Sequence, residues 1–92
     1  MLFAQGNGES INNPGNIQVN ENIDNLKPGF YIVSGFIIGS GTTYGTLLSL
    51  KRSEGDQQQM VFSNGGAQIG VFYRMKNNGT WSAWMKLSDN KA

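Results

Sequence analysis

Two carboxylates, Glu54 and Asp56, come nearer than any others in this sequence to a pair of catalytic acids. They flank Gly55 in a hydrophilic stretch. A glycosidase needs two carboxyl groups that face each other across a cleft, roughly 5–10 Å apart. Two acids in one tight polar turn more often form a solvated loop. The remaining acids are scattered towards the ends of the chain, at Glu9, Glu21, Asp24 and Asp89.

The sequence offers no other source of catalytic chemistry. It contains no His and no Cys, and no Ser stands in a recognisable nucleophile elbow. Covalent catalysis therefore lacks both a nucleophile and its base, and a metal lacks its two commonest nitrogen and sulfur ligands. We expect a non-enzymatic protein with no catalytic residue, no cofactor and no metal site.

Two tryptophans near the end of the chain are the strongest candidates for binding or packing. Trp81 and Trp84 are three residues apart, so in a regular strand they point to opposite faces. The pattern places Trp81 in the core and Trp84 on the outer face, with Phe72 and Arg74. An exposed aromatic pair usually marks an interface. Three readings stay open: a subunit interface, cover by the first strand or the N-terminal segment, and a platform for a ligand.

Other candidate ligand contacts are neutral polar groups. Residues 39–45, "GSGTTYG", are expected to form a mobile loop that presents Tyr44. This loop lacks the Lys and the following helix of a phosphate-binding loop. Gln58 lies in a run of three glutamines, which we expect to form cross-strand hydrogen bonds first and to contact a sugar second. The candidate ligand-binding residues are therefore Trp84, Tyr44, Arg74 and Gln58.

Composition and charge exclude several classes of function. The chain has 92 residues and a formal net charge of +1, so it lacks the basic surface of a nucleic-acid-binding protein. No apolar run approaches the roughly 18–20 residues that span a bilayer, and membrane insertion is not expected. A single domain of this size is marginally stable. Without a disulfide or metal, oligomerisation is the remaining common way to add buried surface.

The order of the elements predicts an all-β domain. Residues 1–20 read as a polar linker or stalk remnant, and residues 21–92 as one small domain. Ile23 and Leu26 suit a short helical turn capped by Asn20 or Asn22. Five β-rich segments then form an antiparallel meander, at residues 30–38, 46–52, 57–63, 67–76 and 80–88.

The turns predict how these strands pair. A two-residue loop at Asn64-Gly65 places Phe62 opposite residue 67. A three-residue loop at residues 77–79, with Gly79 left-handed, places Met75 opposite Trp81, whereas a two-residue loop would place Lys76 there. The apolar pattern favours the three-residue loop. The residues expected in the core or at structural positions are Trp81, Tyr73, Phe30, Phe62 and Gly79.

The order of the motifs resembles a known family. Residues 22–35, "NIDNLKPGFYIVSG", lead into an aromatic strand, and "QMVFS" follows at residues 59–63. An aromatic strand with Arg74 comes next, and the chain closes on a Trp-x-x-Trp-x-x-Leu pattern of Trp81, Trp84 and Leu87. Together these segments, over residues 20–88, resemble the pyocin knob domain of phage tail fibres and R-type pyocin fibres. The chain departs from that pattern after the first strand, where "GSGTTYG" stands in place of a Pro-containing stretch.

The resemblance implies a non-enzymatic attachment module. Such a domain is homotrimeric in its parent fibre, sits in the virion tail, and contacts a bacterial surface polysaccharide. Two alternatives remain open: a purely structural module that trimerises and spaces a fibre, and a carbohydrate-binding module of a secreted hydrolase.

Overall fold

The part of the chain described by the computed structural model, residues 16–17 and 21–87, consists of β-strands and turns. Seven strands, β1 to β7, form one sheet. Their bounds in chain order are Asn16–Ile17, Gly29–Ile38, Gly41–Ser53, Asp56–Gly65, Gly70–Asn77, Thr80–Trp81 and Met85–Lys86. The all-β prediction is confirmed. These described residues include no helix with the length and apolarity to cross a membrane.

The sheet is an antiparallel meander with one parallel strand added. Strands β2 to β5 pair in sequence order, and β6 and β7 both lie on the outer edge of β5. β6 and β7 together are the expected fifth strand, interrupted at residues 82–84. β1 pairs in parallel with the outer edge of β2, which makes the sheet mixed. β1 falls within the segment expected to be a linker, and the side chain of Ile17 is buried.

The prediction of a mobile loop at residues 39–45 is wrong. Only Gly39 and Ser40 turn between β2 and β3, and β3 begins at Gly41. The β-branched and aromatic side chains that follow suit a strand. The hydroxyl of Thr43 is buried and donates to the carbonyl of Phe36 at 2.7 Å, which fixes this end of the hairpin.

Both predicted turns need correction. Phe62 pairs with Val71 rather than with residue 67, because the chain uses residues 66–69 to connect β4 and β5. The last hairpin has the two-residue loop, which places Lys76 opposite Trp81. Asn78 and Gly79 have φ values of 53° and 84°, and two left-handed residues in a two-residue loop make a type I′ turn. Gly79 is left-handed as expected, but in a different turn.

The two faces of the sheet have different surroundings. We call one the covered face, because the segment that precedes β2 packs on it. Its apolar core consists of Ile17, Ile23, Val33, Phe36, Ile38, Leu47, Val61 and Phe72, with Leu26, Tyr31 and Trp84 packed against them. We call the opposite side the open face. It carries Leu48, Met60 and Tyr73 in the centre of the sheet, which the register places directly beside one another.

The assignment of faces from the sequence is therefore reversed. Phe72 was expected to point outward, and it is buried in the core at 3% exposure. Phe62 was expected in the core, and it lies on the open face at 39% exposure. Phe30 and Tyr73 are only partly buried. The reason is that the segment before β2 packs Ile17 and Ile23 on the face that carries Phe72, and their packing buries that face.

Residues 21–28, which we call the covering segment, are held by a turn and by hydrogen bonds. The backbone N–H of Asp24 donates to the side-chain oxygen of Asn22, and residues 24–25 form a turn. Of the two caps predicted for a helical turn here, Asn20 lies outside the described residues, and Asn22 is the residue that accepts from the N–H of Asp24. The hydroxyl of Tyr31 donates to the carbonyl of Lys27, and burial raises the pKa of that hydroxyl above its ordinary value.

Replacement of Asn78 by Ala tests the last turn. We expect Asn78→Ala to lower the free energy of unfolding by about 1 kcal/mol, because Ala tolerates the left-handed region less well than Asn. Asn77→Ala is the control, and it should change stability by less than about 0.5 kcal/mol. Urea unfolding measures both. Equal effects of the two substitutions would rule out the type I′ turn, since residue 78 of the alternative type I loop is right-handed.

Candidate functional site

An arginine between two indole rings is the main polar feature of the covered face. The guanidinium carbon of Arg74 lies 4.1 Å from the ring centroid of Trp81 and 5.1 Å from that of Trp84. Both distances are in the range of cation–π attraction, which is stronger where water is excluded. The Arg74 side chain is 11% exposed. The three residues therefore form one cluster, which we call the Arg74 cluster.

An extra residue in the outer strand brings both tryptophans to one face. Trp81 pairs with Lys76 in β6, while Met85 pairs with Tyr73 in β7. From Trp81 to Met85 the outer strand, formed by β6 and β7, advances four residues, whereas β5 advances only three, from Lys76 to Tyr73. This one-residue bulge reverses the alternation of side chains. The prediction that Trp81 and Trp84 point to opposite faces is wrong for this reason.

The Arg74 cluster fastens the covering segment to the sheet. Arg74 Nε donates to Gln59 Oε1 at 2.8 Å, and Arg74 Nη2 donates to Asp24 Oδ1 at 2.8 Å. The amide of Gln59 in turn donates to the carbonyl of Ile23 at 2.7 Å. The indole N–H of Trp81 donates to the carbonyl of Asp24 at 3.3 Å. The side chains of Arg74, Gln59 and Trp81 thus hold two adjacent residues of the covering segment, Ile23 and Asp24.

A groove opens beside Trp84 at the edge of this cluster. It has a volume of about 430 Å³ and is lined by Trp84, Phe72 and Ile38 together with the polar side chains of Gln68 and Lys86. The Trp84 ring meets the Phe36 ring edge-on, with 6.3 Å between centroids and 70° between planes. Phe36 and Arg74 therefore fix the orientation of this indole. The Trp84 side chain is partly exposed and lines the groove.

The groove has the chemistry of a site for a polar, partly apolar ligand. Ligand sites are mostly apolar, with a few polar groups that fix orientation. Gln68 gives one amide N–H to the carbonyl of Ile38 at 3.1 Å, and its amide has further hydrogen-bonding positions. Lys86 adds a positive charge. Sugars present both apolar ring faces and hydroxyl groups, which suit this arrangement.

The four predicted ligand-binding residues do not form one site. Arg74 and Trp84 lie together on the covered face, whereas Tyr44 and Gln58 lie on the open face. Gln58 pairs with Leu50, six residues from Tyr44 along β3, a separation of about 20 Å. Tyr44 is 47% exposed and belongs to a strand rather than to a loop. The amide of Gln58 lies 3.4 Å from a carboxylate oxygen of Asp56.

Sequence reasoning did not assign Asp24, Gln59, Gln68 or Lys86 to the site. Gln59 was read as part of a glutamine run, although alternation places Gln57 and Gln59 on the face opposite Gln58. Both side chains are buried, and the Gln59 amide is hydrogen-bonded to the carbonyl of Ile23. Gln68 and Lys86 carry no recognisable signal, because the longer loop and the bulge set their positions.

The acids that resembled a catalytic pair are both in ion pairs. Lys51 donates to Glu54 at 2.6 Å, and Arg52 donates to Asp56 at 2.7 Å. The hydrogen bond from Lys51, and then its charge, lower the pKa of Glu54, whereas a general acid needs a raised pKa. Within residues 16–17 and 21–87, no group of three acidic, His or Cys side chains is placed to hold a metal ion.

Comparison with known protein families, with curated proteins and with solved structures finds no match for this chain.

The contribution of Arg74 can be measured against that of a second arginine. We expect Arg74→Ala to lower the free energy of unfolding by about 2–4 kcal/mol, because it leaves Gln59 and Asp24 without their donor and empties the space between the indoles. Arg74→Lys should recover less than half of this loss, since an ammonium group lacks the planar fork. Urea unfolding is the measurement.

Arg52→Ala is the matched control. Arg52 also pairs with an aspartate, but its side chain is 81% exposed, so its loss should cost less than about 1 kcal/mol. A similar cost for the two alanine variants would contradict the role assigned to Arg74.

Proposed function

We propose that this chain is a non-enzymatic attachment module that binds a bacterial surface polysaccharide in the groove beside Trp84. The observation that carries this proposal is an indole held in place by Arg74 and Phe36 at the edge of an open groove with an amide and an ammonium group. A rigid aromatic surface accepts the apolar face of a sugar ring, and the polar groups accept or donate to its hydroxyls.

The shape of the groove fits a weak, repeated interaction. One shallow groove engages only one or two sugar units, and a ligand of that size gives limited affinity. Several copies on one particle raise the overall avidity without any new contact. A homotrimer in a tail fibre or baseplate of a phage or prophage, as the family resemblance implies, would supply such copies at the host surface.

A second function, that of a structural spacer which only assembles a fibre, is favoured by a different observation. The open face exposes several large apolar side chains, among them Ile32, Met75 and Met85. An apolar face of this kind serves assembly rather than glycan binding. The two functions use opposite faces of the sheet and can be tested separately.

A substitution that fills the groove tests the glycan proposal. Trp84→Ala is a poor probe, because Trp84 also packs against Phe36 and Arg74. Ala83 is exposed and lines the groove, so Ala83→Phe should obstruct the ligand while the core stays intact. We expect the labelled chain to bind a subset of intact bacterial strains, soluble cell-wall polysaccharide to compete, and Ala83→Phe to bind about tenfold more weakly or worse.

Ser53→Phe is the control, because it adds the same ring to an exposed position at the end of β3 away from the groove. It should bind like the unmodified chain, and urea unfolding checks that both variants are folded. Undiminished binding by Ala83→Phe would exclude the groove as the site. Failure of the unmodified, assembled chain to bind any strain would favour the spacer.

A further inference from the structure

We propose that the open face is the surface through which copies of this chain associate with one another. All eight of the large apolar side chains that are exposed in the described part of the chain lie on this face or at its rim. They are Ile32, Ile37, Tyr44, Phe62, Ile69, Met75, Met85 and Leu87. This inference concerns the opposite side of the sheet from the groove, so it does not depend on glycan binding.

The register arranges the apolar side chains in continuous rows. One row crosses five strands and consists of Phe30, Leu48, Met60, Tyr73 and Met85. The neighbouring row consists of Ile32, Thr46, Phe62 and Val71, with Leu87 beside Val71 through a backbone hydrogen bond of 2.8 Å. Strands that are apolar on both sides are typical of sheets buried on both faces. Within residues 16–17 and 21–87, only the covered face has a cover of its own.

The size of this surface matches an interface between proteins. Eight side chains that each leave about half of a surface of roughly 200 Å² exposed present on the order of 800 Å², as much as one partner buries in a standard interface. Monomeric proteins rarely expose apolar patches larger than about 300–600 Å². The area therefore suffices for a stable contact with a second copy.

The charges of the open face also permit contact with an identical surface. Among its described residues, Arg52 and Asp56 lie together at one end of β3 and β4 and pair with each other at 2.7 Å. The two apolar rows contain no charged side chain. A second copy placed on these rows would bury no unpaired charge, which would otherwise be costly.

The rest of the chain is a poor alternative cover. Residues 88–92, "SDNKA", contain no large apolar side chain. Residues 1–15 and 18–20 contain five, Met1, Leu2, Phe3, Ile11 and Val19, against nine apolar side chains in the two rows. A second copy offers as many apolar side chains as the face exposes, and it is the occupant that we propose.

The full chain tests this inference in two measurements made on the same sample. Sedimentation gives the mass at about 100 µM, above the micromolar dissociation constants of the weakest standard-size interfaces. Oxidation with hydrogen peroxide, read by mass spectrometry, reports on Met60, Met75 and Met85, three of the four methionines of the chain and all on the open face. We expect an oligomer in which Met75 and Met85 react at least about tenfold more slowly than in the diluted monomer.

Charged variants locate the contact. Met75→Lys and Leu87→Lys replace exposed side chains, so each monomer should fold, and each should shift the sedimenting mass to that of a monomer. Ser40→Lys is the control, because it adds the same charge in the exposed turn between β2 and β3. This variant should sediment as an oligomer, like the unmodified chain. Circular dichroism checks that the variants are folded.

Three results would overturn the inference. A monomer with reactive methionines means that the face is bare in solution. A monomer with protected methionines means that the chain covers its own face, with residues 1–15 as the cover. An oligomer with reactive methionines, or one that survives both charged variants, means that copies meet through another surface.

Discussion

The position of Arg74 between two indole rings is the interaction on which the rest of this structure depends. A guanidinium that is mostly buried needs hydrogen-bond acceptors and a polarisable environment. Gln59 and Asp24 supply the acceptors, and Trp81 and Trp84 supply the rings. Because Asp24 belongs to the segment between β1 and β2, the same contacts hold that segment against the sheet. The contacts of Arg74 and the packing of Ile17 and Ile23 together hold this segment on the covered face.

The choice of face has consequences for both proposed activities. Ile17 and Ile23 pack on the covered face, and in the described part of the chain the opposite face keeps exposed apolar side chains, among them Ile32, Phe62 and Met85. The Trp84 groove lies on the covered side of the sheet, beside Phe72 and Ile38. A ligand and a second copy would therefore approach the sheet from opposite sides. Assembly through the open face would leave every groove accessible, as multivalent attachment requires.

Stability and assembly are also connected in a chain of this length. The core of the covered face consists of eight buried apolar side chains, and buried polar groups such as Thr43, Ser49 and Gln59 lie among them. A domain of about 90 residues buries a modest fraction of its surface. Contact between open faces would add the apolar burial that a single copy lacks.

The sequence by itself determined the class of fold, the antiparallel order of strands β2 to β5, and the left-handed conformation of Gly79. These features follow from local propensity and turn chemistry, which a few neighbouring residues establish. It could not determine which face is buried, because both faces are apolar and periodicity alone does not rank them. Nor could it place Trp84 beside Trp81, because that depends on one extra residue between Trp81 and Met85. Only the tertiary structure decides these two features. The contacts of Arg74 with the segment before β2 join residues about fifty positions apart and hold that segment on one face, whereas the bulge in the outer strand sets the face on which Trp84 lies.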